Sequence, residues 1–125
     1  MPRFATATVT ELSRIGLFQE LPGELLMKLA QNMKRADVAP GDPIVLEGDV
    51  GDHFYVILRG LVAVSHPGGL APRRMLRPGD YFGEVALAMD VPRTASVTAL
   101  TAVTVASCNR ETFDEFVRPL FADDH

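Results

Sequence analysis

The chain has 125 residues, with 12 Lys and Arg against 16 Asp and Glu for a net charge of −4, 47% hydrophobic and 22% charged. That is about one domain, apolar enough to fold without disulfides or metals, and it lacks the clustered positive charge that a DNA or RNA partner requires. Cys108 is the only cysteine, so no internal disulfide forms, and no apolar run approaches the ~20 residues of a membrane span.

Residues 1–6 contain no signal-peptide hydrophobic stretch, so a cytoplasmic location, or the cytoplasmic face of a membrane protein, is expected. Residues 1–34 read as helical, with Val9, Leu12, Ile15 and Leu17 near one stripe and Leu25, Leu26, Leu29, Ala30 and Met33 on another. Gly16 fits a stop between two short helices. Pro22 fits the opening of the second, because a first-turn proline loses no helix hydrogen bond.

From Arg35 the texture changes to short apolar runs divided by turn residues, among them Pro40-Gly41-Asp42-Pro43, Gly48-Asp49, Gly51-Asp52, Gly60, Pro67-Gly68-Gly69 and Pro78-Gly79-Asp80. Phe54, Val56 and Leu58 alternate with Tyr55, Ile57 and Arg59, and Leu61-Val62-Ala63-Val64 follows Gly60 as a further strand. Val97 and Ala99, then Val103 and Val105, alternate in the same way. Short strands at this spacing predict a mainly β fold, a double-stranded β-helix or jelly-roll barrel over residues 35–108, with short flanking helices and no βαβ pattern. A last helix is expected over 109–119, capped by Asn109, carrying Phe113, Phe116 and Val117 inward, and ended by Pro119. No repeat or linker divides the chain, so 1–125 is taken as one domain.

The rhythm breaks at residues 82–97, Phe-Gly-Glu-Val-Ala-Leu-Ala-Met-Asp-Val-Pro-Arg-Thr-Ala-Ser-Val. Gly83 lets the backbone approach a ligand closely, and a helix opening near Glu84 leaves its first N–H groups free for an anion. Arg93 adds a guanidinium able to give two charge-assisted hydrogen bonds to phosphate oxygens, a geometry lysine lacks. Glu84 would be repelled by that phosphate unless a donor engages it. A ribose hydroxyl is such a donor, so phosphate and sugar together suggest a nucleotide.

This segment resembles the phosphate-binding cassette of the cyclic nucleotide-binding domain family: Phe-Gly-Glu-(apolar)-Ala-Leu, a short loop, then Pro-Arg-(small)-Ala-(small)-Val. Upstream, Gly48-Asp49-Val50-Gly51-Asp52-His53-Phe54-Tyr55-Val56-Ile57 followed by Gly60 is similar to the family's paired glycine turns and central hairpin. The resemblance covers nearly the whole chain. It implies that Arg93 pairs with the cyclic phosphate, that Glu84 accepts from the ribose 2′-hydroxyl, and that Gly83 and Ala86 give backbone N–H groups. Thr94 would donate its backbone N–H to phosphate and set its hydroxyl against phosphate or base, and Val64 would pack the base. Phe82, Val85 and Ala95 complete the expected ligand-binding set. Thr94 does not decide between cyclic AMP and cyclic GMP, and Arg73 and Arg74 reach the base edge only if their strand turns one of them inward.

For an isolated Arg93 and Glu84 the ordinary reading is a surface salt bridge; for Gly83 it is a turn, and for Ala86 and Leu87 it is packing. His53 and His66 lie in or near turns without metal-site spacing, so no metal and no cofactor are expected beyond the ligand itself. No nucleophile elbow, Walker lysine or zinc-protease pattern is present, which argues against an enzyme. The expected function is a regulatory sensor that binds cyclic AMP, cyclic GMP or both and acts on an effector domain in the same or another chain. It is either a fragment of a larger protein or free-standing, with the lid over the base shortened or supplied elsewhere. The alternative is a domain of the same fold that binds no nucleotide and serves as a structural or interaction module.

Overall fold

A computed structural model describes residues 6–66 and 74–121. The turn read at Pro67-Gly68-Gly69, the side chain of Arg73 and residues 1–5 lie outside them. Among the described residues the chain opens with α1 (Val9–Ser13), a single 3-10 turn at Gly16–Phe18 and α2 (Gly23–Gln31). Thr8 and Glu11 close a capping box on α1: the Glu11 N–H donates to Thr8 Oγ1 at 3.1 Å and the Thr8 N–H to Glu11 Oε1 at 3.0 Å.

These helices differ from the expected stripes. Leu12, Ile15, Leu26, Leu29, Ala30 and Met33 are buried, but Val9, on the five-residue α1, and Leu25, in the first turn of α2, are each 38% exposed. Gly16 opens the 3-10 turn rather than ending a helix, and Pro22 stands just before α2 as its cap. Met33 is reached after the helix has ended at Gln31.

Eight strands follow among the described residues: β1 (Lys34–Val38), β2 (Pro43–Val45), β3 (His53–Arg59), β4 (Val62–Ser65), β5 (Arg74–Leu76), β6 (Tyr81–Phe82), β7 (Ser96–Ala99) and β8 (Val103–Asn109). All pair antiparallel, in two four-stranded sheets ordered β1-β8-β3-β6 and β2-β7-β4-β5. Apart from β4 and β5, which pair within one sheet, the chain alternates between sheets, which is the jelly-roll arrangement. Its interior is filled by Val45, Ile57, Val62, Val64, Leu76, Phe82, Val97, Ala99, Val103 and Val105.

A second core lies on the outer face of the β1-β8-β3-β6 sheet, where Phe54, Val56, Ala106 and Cys108 meet the helices through Leu12, Phe18, Leu29 and Phe113. β3 alternates between the two, sending Phe54 and Val56 to the helices and Tyr55 and Ile57 to the barrel.

Between β6 and β7 runs the one-and-a-half-turn helix α3 (Glu84–Met89). After β8 come α4 (Arg110–Thr112), a π-turn at Phe113–Val117 and α5 (Arg118–Phe121). Asn109 caps this last segment through its side chain, which accepts the Thr112 N–H at 2.9 Å. Pro119 does not end it: the helix continues to Phe121. The Arg118 N–H bonds five residues back to the Phe113 carbonyl, so the wide π-turn absorbs the register change ahead of a residue that has no N–H to donate. None of the helices among the described residues is long and apolar enough to cross a membrane.

Candidate functional site

Gly83 stands at the junction of β6 and α3 with φ +100°, a left-handed conformation that favours glycine. A Cβ there would lie 2.8 Å from both Arg93 Nη1 and the His53 carbonyl oxygen. The position therefore needs glycine for its backbone angle and for the closeness of its neighbours. The N–H groups of Glu84, Val85 and Ala86 open the helix and have no intrahelical acceptor. Asp90, at φ 55°, closes α3 in another left-handed turn, and the Val91 N–H returns to the Ala86 carbonyl at 3.2 Å.

The loop that follows is stitched to the β2–β3 turn. The Arg93 N–H donates to the Asp49 carbonyl at 2.9 Å and the Gly48 N–H to the Arg93 carbonyl at 2.8 Å. Gly51 is buried in that turn, where a Cβ would collide with the Ala86 side chain. These contacts bring α3 and the loop after it together at the end of β3.

The Arg93 side chain is only 7% exposed. Its Nη2 donates to the His53 carbonyl at 2.6 Å, while its Nε is buried and has no partner. The guanidinium carbon sits 5.8 Å from the centre of the Tyr55 ring. Burial pulls its pKa below the ordinary value, against the opposing fields of Tyr55, Asp52, Asp49 and Glu84. No carboxylate ion-pairs with it among the described residues. The nearby Asp52 instead meets His53 Nδ1 at 2.9 Å, and that hydrogen bond is the main reason its own pKa is lowered.

Arg93 and Glu84 thus do not form the surface salt bridge that is their ordinary reading. A buried guanidinium with an unsatisfied Nε and no counter-ion is a costly arrangement unless an anion joins it.

Arg93 and Glu84 face one cavity of about 290 Å³. Phe82, Gly83, Val85, Ala86, Thr94 and Ala95 line it, and Val64 reaches it from β4 with Val45 and Val97 as an apolar floor. At the Val64 end it is lined also by His66 and Arg74. Arg74 is the register partner of Val64 in the β4–β5 pair and so shares its face of the sheet. No local pattern in the sequence marks Tyr55 or the His53 carbonyl as neighbours of Arg93, and Gly51 reads there only as a turn residue; strand pairing and the β2–β3 turn bring them to Arg93, while His66, exposed, stands at the edge of the cavity. No group of His, Cys, Asp and Glu among the described residues is placed to hold a metal ion.

The sequence pattern described as "Cyclic nucleotide-binding domain" matches residues 35–119. The chain belongs to this family. The regulatory subunit of cAMP-dependent protein kinase from Yarrowia lipolytica is 36% identical over 114 residues, covering 91% of this chain and 30% of that protein. This cyclic nucleotide-binding domain therefore spans about a third of the length of that relative.

Among solved structures, the regulatory domain of Toxoplasma gondii protein kinase A with cAMP superposes with a TM-score of 0.82 at 27% identity, over 90% of this chain and 45% of that one. The regulatory subunit of a cAMP-independent protein kinase A from Trypanosoma cruzi, bound to guanosine, gives 0.82 at 25% identity over 90% and 42%. The second neighbour shows that the fold alone does not decide the ligand, which turns attention to the cavity itself.

Proposed function

We propose that this domain binds a cyclic nucleotide, with the cyclic phosphate between Arg93 and the free N–H groups of the Gly83–Ala86 turn, the ribose 2′-hydroxyl on Glu84, and the base against Val64. The observation that carries the reading is Arg93: a buried guanidinium beside a cavity, with one nitrogen unsatisfied and no carboxylate partner among the described residues. A phosphate supplies both the missing acceptor and the missing charge. Glu84, on the rim of the same cavity and without an ion-pair partner among the described residues, is placed to accept from a sugar hydroxyl. Thr94 follows with its N–H and hydroxyl, and Phe82, Val85 and Ala95 complete the walls.

The domain acts as a regulatory sensor rather than an enzyme. Ordering of α3 by ligand favours one of two arrangements of the flanking helices, 9–33 and 111–117, and so reports to an effector domain in the same or another chain. Arg110 is placed to pass the change on: its Nη1 donates to the Leu87 carbonyl at 2.9 Å and its Nη2 meets Asp90 at 3.1 Å.

Cyclic AMP is favoured by the likeness to the Yarrowia lipolytica and Toxoplasma gondii proteins, whereas an arginine fork such as Arg74 matches the O6 and N7 acceptors of guanine. Calorimetric titration with cyclic AMP and cyclic GMP, using the wild type and Arg93→Ala, tests the reading and ranks the bases. Saturable binding by the wild type, weakened by about 2–5 kcal/mol in Arg93→Ala, supports it. No binding of either ligand at millimolar concentration by the wild type overturns it in favour of an interaction domain of the same fold.

A further inference from the structure

Among the described residues the Arg93 guanidinium is held by one side-chain hydrogen bond, to the His53 carbonyl. One bond through Nη2 leaves the plane of the group free to swivel, so something else must set its orientation. The face that meets it is Tyr55, whose ring centre lies 5.8 Å from the guanidinium carbon. Tyr55 is itself fixed. It pairs with Phe82 across β3 and β6, and the two rings stack at 4.8 Å with only 7° between their planes. Phe82 immediately precedes Gly83, so the stack is anchored at the entrance to the phosphate turn. The Tyr55 hydroxyl has no hydrogen-bond partner among the described residues, which leaves the ring as the working part of the side chain.

We propose that Tyr55 is a positioning residue for anion binding: its π face, backed by Phe82, holds the Arg93 guanidinium ordered towards the cavity before any ligand arrives. The inference rests on the phosphate role proposed for Arg93 above. Its physical basis is a choice between two ways of stabilising a buried cation. A carboxylate would neutralise the guanidinium and compete with phosphate for it. An aromatic face attracts the cation through its quadrupole and leaves the outward-facing donors free, so the ligand meets an arginine that is already in place.

The test grades the electrostatics of the ring without changing its shape. The full chain is prepared as wild type, Tyr55→Phe, and with fluorinated phenylalanines of increasing substitution at position 55, and each is titrated with cyclic AMP. Tyr55→Phe is expected to bind within about twofold of wild type. Affinity is expected to fall stepwise with fluorination, to about tenfold weaker for the most fluorinated ring.

A flat series, with wild-type affinity throughout, overturns the proposal and leaves Tyr55 as wall packing. In parallel, the Arg93 Nε–H resonance of the ligand-free protein is followed by NMR. It is expected to carry a ring-current shift that survives Tyr55→Phe and disappears in Tyr55→Leu; an unshifted, averaged resonance in the wild type also overturns it. If the wild type binds no cyclic nucleotide, the phosphate role falls, and the NMR measurement alone decides whether Tyr55 orders Arg93.

Discussion

Under the helices, three aromatic rings, Phe18, Phe54 and Phe113, fill the space between layers at no more than 1% exposure each. On the other face of the same sheet the barrel is filled mostly by valine, isoleucine and leucine, and it opens into a cavity beside α3. Close-packed rings leave no room for a ligand, whereas β-branched side chains on opposed strands stop short of closing the barrel end. α3 stands between the two: Leu87 belongs to the helical core, and Ala86 and Glu84 face the cavity. The tightest packing and the open cavity thus lie on opposite faces of one sheet, and they meet in a helix of six residues.

If that division is right, the largest effect on folding comes from the helical side. Phe54→Ala removes a fully buried ring that touches Tyr81 and Phe113, at centroid distances of 5.7 and 5.4 Å, and is expected to lower stability by about 4 kcal/mol in denaturant unfolding. A loss below about 1 kcal/mol would mean that the two cores are not distinct in this way.

The converse variant is Arg93→Leu. Thermal unfolding without ligand is expected at the wild-type temperature or above, because a half-satisfied buried cation is replaced by an apolar side chain, while the stabilisation by added cyclic nucleotide disappears. A ligand-free protein markedly less stable than wild type would show that Arg93 serves the fold.

Gly83→Ala sharpens the boundary between the two. The left-handed φ and the contacts a Cβ would make predict a loss of about 2 kcal/mol in stability, together with weaker ligand binding as Arg93 is displaced. Weakened folding with untouched affinity would separate the glycine from the site.

The effect that vanishes at neutral pH and appears only in alkaline solution is that of Cys108, on the helical side, whose thiol pKa is pushed by burial up to about 12 from 9.0. The folded state keeps its proton where the unfolded chain has lost it, so the contribution is complete below about pH 9 and is lost as pH rises towards 12. Stability measured against pH is expected to fall less steeply in that window for Cys108→Ala than for the wild type.

Much of the α3 side of the cavity was legible in the sequence because its parts lie close along the chain: Gly83, Glu84, Ala86, Arg93 and Thr94 announce a turn, a helix start and a charge within one short segment. Tyr55, Gly51 and the His53 carbonyl were not, since they arrive at Arg93 through the pairing of β3 with its neighbours and through the β2–β3 turn, neither of which leaves a local pattern. The barrel could be read from alternation and turn residues, and the last helix from Asn109. Its continuation past Pro119 could not, because the π-turn that permits it is a response to packing of Phe113, Phe116 and Val117 rather than to any breaker residue. Val9 and Leu25 misled for a related reason: periodicity marks an apolar stripe but not how many turns of it the core will cover.

β3 is written in two interleaved messages, one addressed to each core. Losing or gaining a single residue just ahead of Phe54 would shift every later side chain of the strand to the opposite face, delivering phenylalanine to the barrel and tyrosine to the helices in one event. Such a strand can change its letters one at a time, within the size each face accepts, but its reading frame cannot drift.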